Sequence, residues 1–233
     1  MAHHSTPPCD PKLRRGRLAW AVMLFALLLA TPAVAGGNCP AGATPEVRVI
    51  SEMPPPDYRH RLTRSQIGAL GGHGHMTSDR SHAGLTRTQT SFSVNPMVQV
   101  RQIGNGQLCV SLQRVEINWR MVEFIVDVAA EYRRGSCPYE QILSHENQHV
   151  DIAQRAFTAA DRGLRQQLGE LARRQQGIVV RGTPQQAANQ VAQQFMAVAK
   201  PILEQYDRDT RRQNAAIDTQ ENYRAISSRC RDW

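Results

Sequence analysis

Two histidines four residues apart constrain this chain more than any other feature in it. His145-Glu146-Asn147-Gln148-His149 reads H-E-x-x-H. Residues i and i+4 share a face on a helix, so both imidazoles can reach one metal ion only if the segment is helical. The flanks agree. Ser136-Cys137-Pro138 supplies a cap region and a proline in the first turn, a common helix start. Ile142, His145, Glu146, His149, Ile152, Ala153 and Phe157 then recur at helical spacing. The histidines are thereby turned toward the apolar side, where an unpartnered imidazole is costly to desolvate. Glu146 between them can take a proton from a metal-bound water. Two ligands and a general base within five residues point to zinc-dependent hydrolysis of a peptide bond.

The amino terminus has the composition of a secretory signal. Lys12, Arg14, Arg15 and Arg17 precede an apolar run over residues 18–30, too short for a membrane span, and Ala33-Val34-Ala35 is a small-x-small cleavage site. Residues 1–35 are therefore expected to be removed after Ala35, leaving a periplasmic or secreted product with no stable membrane span. That loss takes away four basic residues and one acidic one, which lowers the formal net charge from +8 to +5. The remaining charge is spread along the chain, with no basic run interleaved with aromatics, so nucleic acid is not an expected partner. Four cysteines remain: Cys39, Cys109, Cys137 and Cys230. An even number in an oxidising compartment implies two disulfides, with three possible connectivities. The expected pairing is Cys109–Cys137, tying a core strand to the metal-site helix, and Cys39–Cys230, tying the ends. No two cysteines show C-x-x-C spacing, which disfavours a thiolate zinc site.

Residues 36–85 hold a short strand at Val47-Arg48-Val49-Ile50, the stiff run Pro54-Pro55-Pro56, and a Gly/His/Ser-rich stretch with His73, His75 and His82 that reads as a mobile loop. Residues 86–233 form the expected catalytic domain. Alternating strand patterns run from Thr86, with Gly104-Asn105-Gly106 as a hairpin turn and residues 124–129 as a buried strand. After Gly163 a short polar helix is expected over residues 164–176. Thr183-Pro184 starts a long helix reaching about Arg212, with Pro201 as a kink. The fold class is α+β: a small, mostly antiparallel sheet, then the H-E-x-x-H helix, then a long C-terminal helix. This order is zincin-like, and a sheet edge there could pair with an extended peptide.

A catalytic zinc site takes three protein ligands and keeps one open position. The H-x-x-G-x-x-H extension that would supply a third histidine is absent. Asp207 lies four residues after Leu203 and eight after Ala199, on the expected inward face of the long helix, and is the first choice for the third ligand. Asp218, Glu221 and Glu170 are the alternatives. Tyr206, Tyr223 and Arg212 are candidates for stabilising an oxyanion, and none is assigned.

HENQHVDIA, starting at His145, together with Tyr206-Asp207-Arg208-Asp209-Thr210 resembles a bacterial family of uncharacterised secreted proteins described as predicted zinc-dependent proteases. The resemblance spans roughly residues 86–225 and is specific at those two segments. It implies a secreted zinc peptidase acting on a peptide or protein substrate. The family's His-Gly after the Thr is replaced here by Arg212 and Gln213. Two other readings stand beside it: a zinc-binding envelope protein without turnover, and a helical interaction protein carrying a vestigial site.

Overall fold

The chain turns back on itself at Asn105-Gly106, and that turn organises the sheet. Both residues take positive φ, 50° and 66°. That is the requirement of a two-residue type I′ hairpin, whose twist matches that of its flanking strands. In the computed structural model, which describes residues 39, 42–70, 83–175 and 177–233, the turn joins β3 (Gly84–Gly104) to β4 (Gln107–Val128). The two strands pair antiparallel along their whole length. The sequence reading cut this region into several shorter strands. The structure replaces most of those breaks with register shifts at Gln89/Thr90 and Met97/Val98, since a bulge admits an extra residue without ending the ladder.

The other side of β4 is shared by three short strands. β5 (Ile178–Arg181) pairs antiparallel with the start of β4. β1 (Glu46–Glu52) and β2 (Asp57–Arg59) both run parallel to it, against residues 114–120 and 125–127. Pro54-Pro55-Pro56 carries the chain onward in one direction, which lets β1 and β2 follow one another along the same partner.

Alternation along β4 sets the core. Val115, Ile117, Trp119, Met121, Phe124 and Val126 are buried on one face. Two long helices cover it: α2 (Cys137–Arg174) with Val150, Ala153, Phe157, Leu164 and Leu168, and α3 (Pro184–Ile217) with Val191, Phe195, Ala199 and Tyr206. Trp119 stacks on Phe157 at 4.9 Å between ring centres and meets Tyr206 edge-on. The short polar helix expected after Gly163 is instead the second half of α2. Leu164, Leu168 and Ala172 are fully buried and keep the helix on the sheet. Among the described residues the architecture is thus α+β, one mixed sheet with four helices. α1 (Arg64–Leu70) seats Ile67 against Val128 and Ile142, and α4 (Gln220–Ser227) follows α3.

The disulfides differ from the expected pairing. Cys39 is bonded to Cys109, and Cys137 to Cys230. A bridge needs its Cα atoms within about 7 Å. Cys109 lies at the hairpin end of β4, whereas α2 begins after the other end. About 19 residues of strand, some 60 Å when extended, keep Cys109 from Cys137. Among the described residues no helix is long and apolar enough to cross a membrane, and two disulfides fit an oxidising, extracellular setting. Residues 1–35 and His73, His75 and His82 lie outside the described residues.

Candidate metal centre

The third and fourth turns of α2 carry the site. Ser136 caps the helix by accepting from the Tyr139 amide, and Pro138 stands in its first turn. His145 and His149 then fall one turn apart on the face directed at the end of α3. α3 ends at Ile217, where Asp218 serves as its C-cap residue, and Thr219 caps α4 immediately afterwards. The break between these helices holds Asp218 opposite the two imidazoles.

Three atoms converge there. Asp218 Oδ1 lies 3.2 Å from His145 Nε2 and 3.0 Å from His149 Nε2, and the two Nε2 atoms are 3.2 Å apart. A tetrahedral ion with bonds of about 2.0–2.2 Å holds its ligand atoms about 3.3–3.6 Å apart. The observed triangle is within a few tenths of an ångström of that. The donor chemistry agrees. His149 Nδ1 meets the side-chain oxygen of Asn214 at 3.0 Å. In the neutral ring that partner holds the proton on Nδ1 and leaves a lone pair on Nε2. A single proton shared among the three atoms leaves at least one contact between lone pairs uncompensated, whereas a cation satisfies all three. His145, His149 and Asp218 could therefore hold a metal ion. His145 is 4% exposed, while the Asp218 side chain is 35% exposed, so the triangle opens to solvent on one side.

Glu146 points elsewhere, toward β3. It is buried, and its Oε2 accepts from the Thr86 hydroxyl at 2.8 Å. Its Oε1 packs on Gly84, where a Cβ would come within 2.5 Å. Burial pushes its pKa up, opposed by the nearby His149 and His145 and by the Thr86 hydrogen bond. Burial would also raise Asp218, but hydrogen bonds from His145 and His149 outweigh it and hold the carboxyl well below the usual range. His149 moves the other way. Burial would lower it, yet its bonds to Asp218 and Asn214 raise it. The Tyr223 hydroxyl donates to Asp218 Oδ1 at 2.8 Å, and its ring lies 5.2 Å from that of His145. Burial and the Asp218 charge push Tyr223 far above its ordinary value, so it remains a protonated donor.

The structure brings His145 and His149 together with Asp218 and not with Asp207, and it turns the Glu146 carboxylate to Thr86 beside them. Asp207 is exposed on α3, and the residue beside it, Tyr206, is the one turned into the core. The apolar stripe had been extended one residue too far round, about 100° of helix. Asp218, an alternative in the sequence reading, is the carboxylate that lies beside the two imidazoles. Arg212 is exposed and paired with Asp209 at 2.8 Å, and Tyr206 is a core residue, so of the three oxyanion candidates only Tyr223 stands at the site. Asn214, Thr86 and Gly84 carried no sequence signal of their own. Comparison of the chain with protein-family models, with curated protein sequences and with solved structures finds no match.

Proposed function

We propose that this protein is a secreted zinc-dependent peptidase of zincin-like organisation. The observation that carries the reading is the convergence of His145 Nε2, His149 Nε2 and Asp218 Oδ1 at 3.0–3.2 Å beside the buried carboxylate of Glu146. The H-E-x-x-H spacing and the resemblance to secreted, predicted zinc proteases support it, as do the two disulfides. Two imidazoles and one carboxylate suit zinc, and a bound ion there would polarise a carbonyl and bring the pKa of water toward about 7.

This chain's own groups then have distinct tasks. His145, His149 and Asp218 would hold a zinc ion, and water and substrate would reach it from the exposed side of Asp218. Glu146 takes a proton from the attacking water and delivers it to the leaving amine, the work of a general base that becomes a general acid. Burial raises this carboxyl, which makes it a stronger proton acceptor than an exposed glutamate. Thr86 fixes Oε2 so that the carboxylate keeps one orientation. The peptide substrate enters from the exposed side of Asp218. Glu146→Gln tests the reading: metal content stays near that of the parent and hydrolysis of an unstructured protein substrate disappears. Equal hydrolysis in both proteins would remove Glu146 from the mechanism.

A further inference from the structure

The third ligand arrives on a short segment that brings more than itself. Ten residues spanning the junction, from the last turn of α3 through Asp218 into the first turn of α4, carry Asn214, Asp218 and Tyr223. Each of these touches the triangle. Asn214 Oδ1 accepts from His149 Nδ1 at 3.0 Å, so it fixes that ring's tautomer and its plane. Tyr223 donates to Asp218 Oδ1 at 2.8 Å, the same oxygen that faces both Nε2 atoms, so it fixes the carboxylate's rotation. Neither side chain is itself placed as a ligand. His145, by contrast, has no such partner: its Nδ1 is buried without a hydrogen bond. Its orientation comes from packing on the Tyr223 ring instead.

We infer that Asn214 and Tyr223 are positioning residues, which set the His149 and Asp218 donor atoms in their binding geometry before any ion arrives. The inference rests on the metal-site reading above. A freely rotating carboxylate on an open helix junction would have to be ordered when the ion binds. Here two hydrogen bonds from the same segment order it and the neighbouring ring in advance. Groups that orient metal ligands in this way are worth about 10–100-fold in metal affinity.

The test is metal affinity, measured by competition with a chromophoric chelator, and the d–d absorption of the cobalt-substituted protein, which reports four-coordinate geometry. The parent and His149→Ala come first. Tyr223→Phe and Asn214→Leu are each expected to bind about 10–100-fold more weakly and to show an altered cobalt spectrum, with the thermal unfolding of the metal-free protein little changed. Asn214→Asp keeps an acceptor for Nδ1 and is expected to bind at least as well as the parent. A parent that binds cobalt or zinc, loses it in His149→Ala, and is matched by both Tyr223→Phe and Asn214→Leu would overturn this inference alone. A parent with no binding, or with binding that survives His149→Ala, would overturn the metal-site reading and this inference with it.

Discussion

Cutting the Cys137–Cys230 bridge should do two things at once. The bridge closes a loop of 93 residues, and the chain-entropy relation gives about 4.6 kcal/mol of stability for that length at 25 °C. The bridge also fastens the segment carrying Asp218 and Tyr223 to the first turn of α2, the helix that carries His145 and His149. Its counterpart, Cys39–Cys109, closes 70 residues, worth about 4.4 kcal/mol by the same relation. That bridge sits at the other end of α2, where Cys39 Sγ lies 3.5 Å from the Ile178 carbonyl, about 44 Å of helix away from His145. Serine replacement of each pair, followed by urea titration of the metal-free proteins, is expected to show similar losses of 4–5 kcal/mol, by about the same relation. Metal affinity should separate them. It falls at least about tenfold in the Cys137→Ser/Cys230→Ser protein, as for a lost orienting shell, and stays near the parent in the Cys39→Ser/Cys109→Ser protein. Equal affinity losses in both variants, or a stability change below about 1 kcal/mol in either, would refute the reasoning.

Two further outcomes follow from the packing. Gly84→Ala places a Cβ 2.5 Å from Glu146 Oε1 and 2.7 Å from Ile142 Cγ2, so Glu146 must move. Metal content should be retained while peptide hydrolysis drops on the order of 100-fold, the cost of about an ångström of misplacement, as read in steady-state assays. Burial raises the Tyr206 hydroxyl above its ordinary value of 10.0, against the opposing hydrogen bond with Thr88. A group with a raised folded pKa contributes stability that is complete below its unfolded value and is lost as pH climbs through the folded one. Stability should therefore fall above about pH 10, and urea titrations from pH 9 to 12 should show a shallower fall in Tyr206→Phe.

Local signals survived folding, and long-range ones did not. The cap at Ser136, the I′ turn at Asn105-Gly106 and the capping box at Thr183 each depend on a few adjacent residues, and all three are present. The histidine pair was legible for the same reason, because four residues of helix fix it. Helix continuity at Gly163 was misjudged because a glycine and a polar surface resemble a break, while the buried Leu164 and Leu168 decide the matter. The carboxylate beside the two imidazoles was harder. Ile217-Asp218-Thr219 reads in the sequence as the start of a short last helix, and α4 does begin there with Thr219 as its cap. That places Asp218 at a helix junction, but its position opposite α2 depends on long-range packing that no local pattern announces. Disulfide pairing depended on β4 being one strand of 22 residues, and the shorter strands read from the sequence hid the distance it imposes.

The central claim is that Asp218 completes the metal site with His145 and His149. The most direct test is metal content per chain of the purified protein beside Asp218→Ala and Asp207→Ala, after identical reconstitution with zinc. About one zinc is expected in the parent and in Asp207→Ala, with little or none in Asp218→Ala. Zinc retained by Asp218→Ala and lost from Asp207→Ala, or no zinc in the parent, would contradict it.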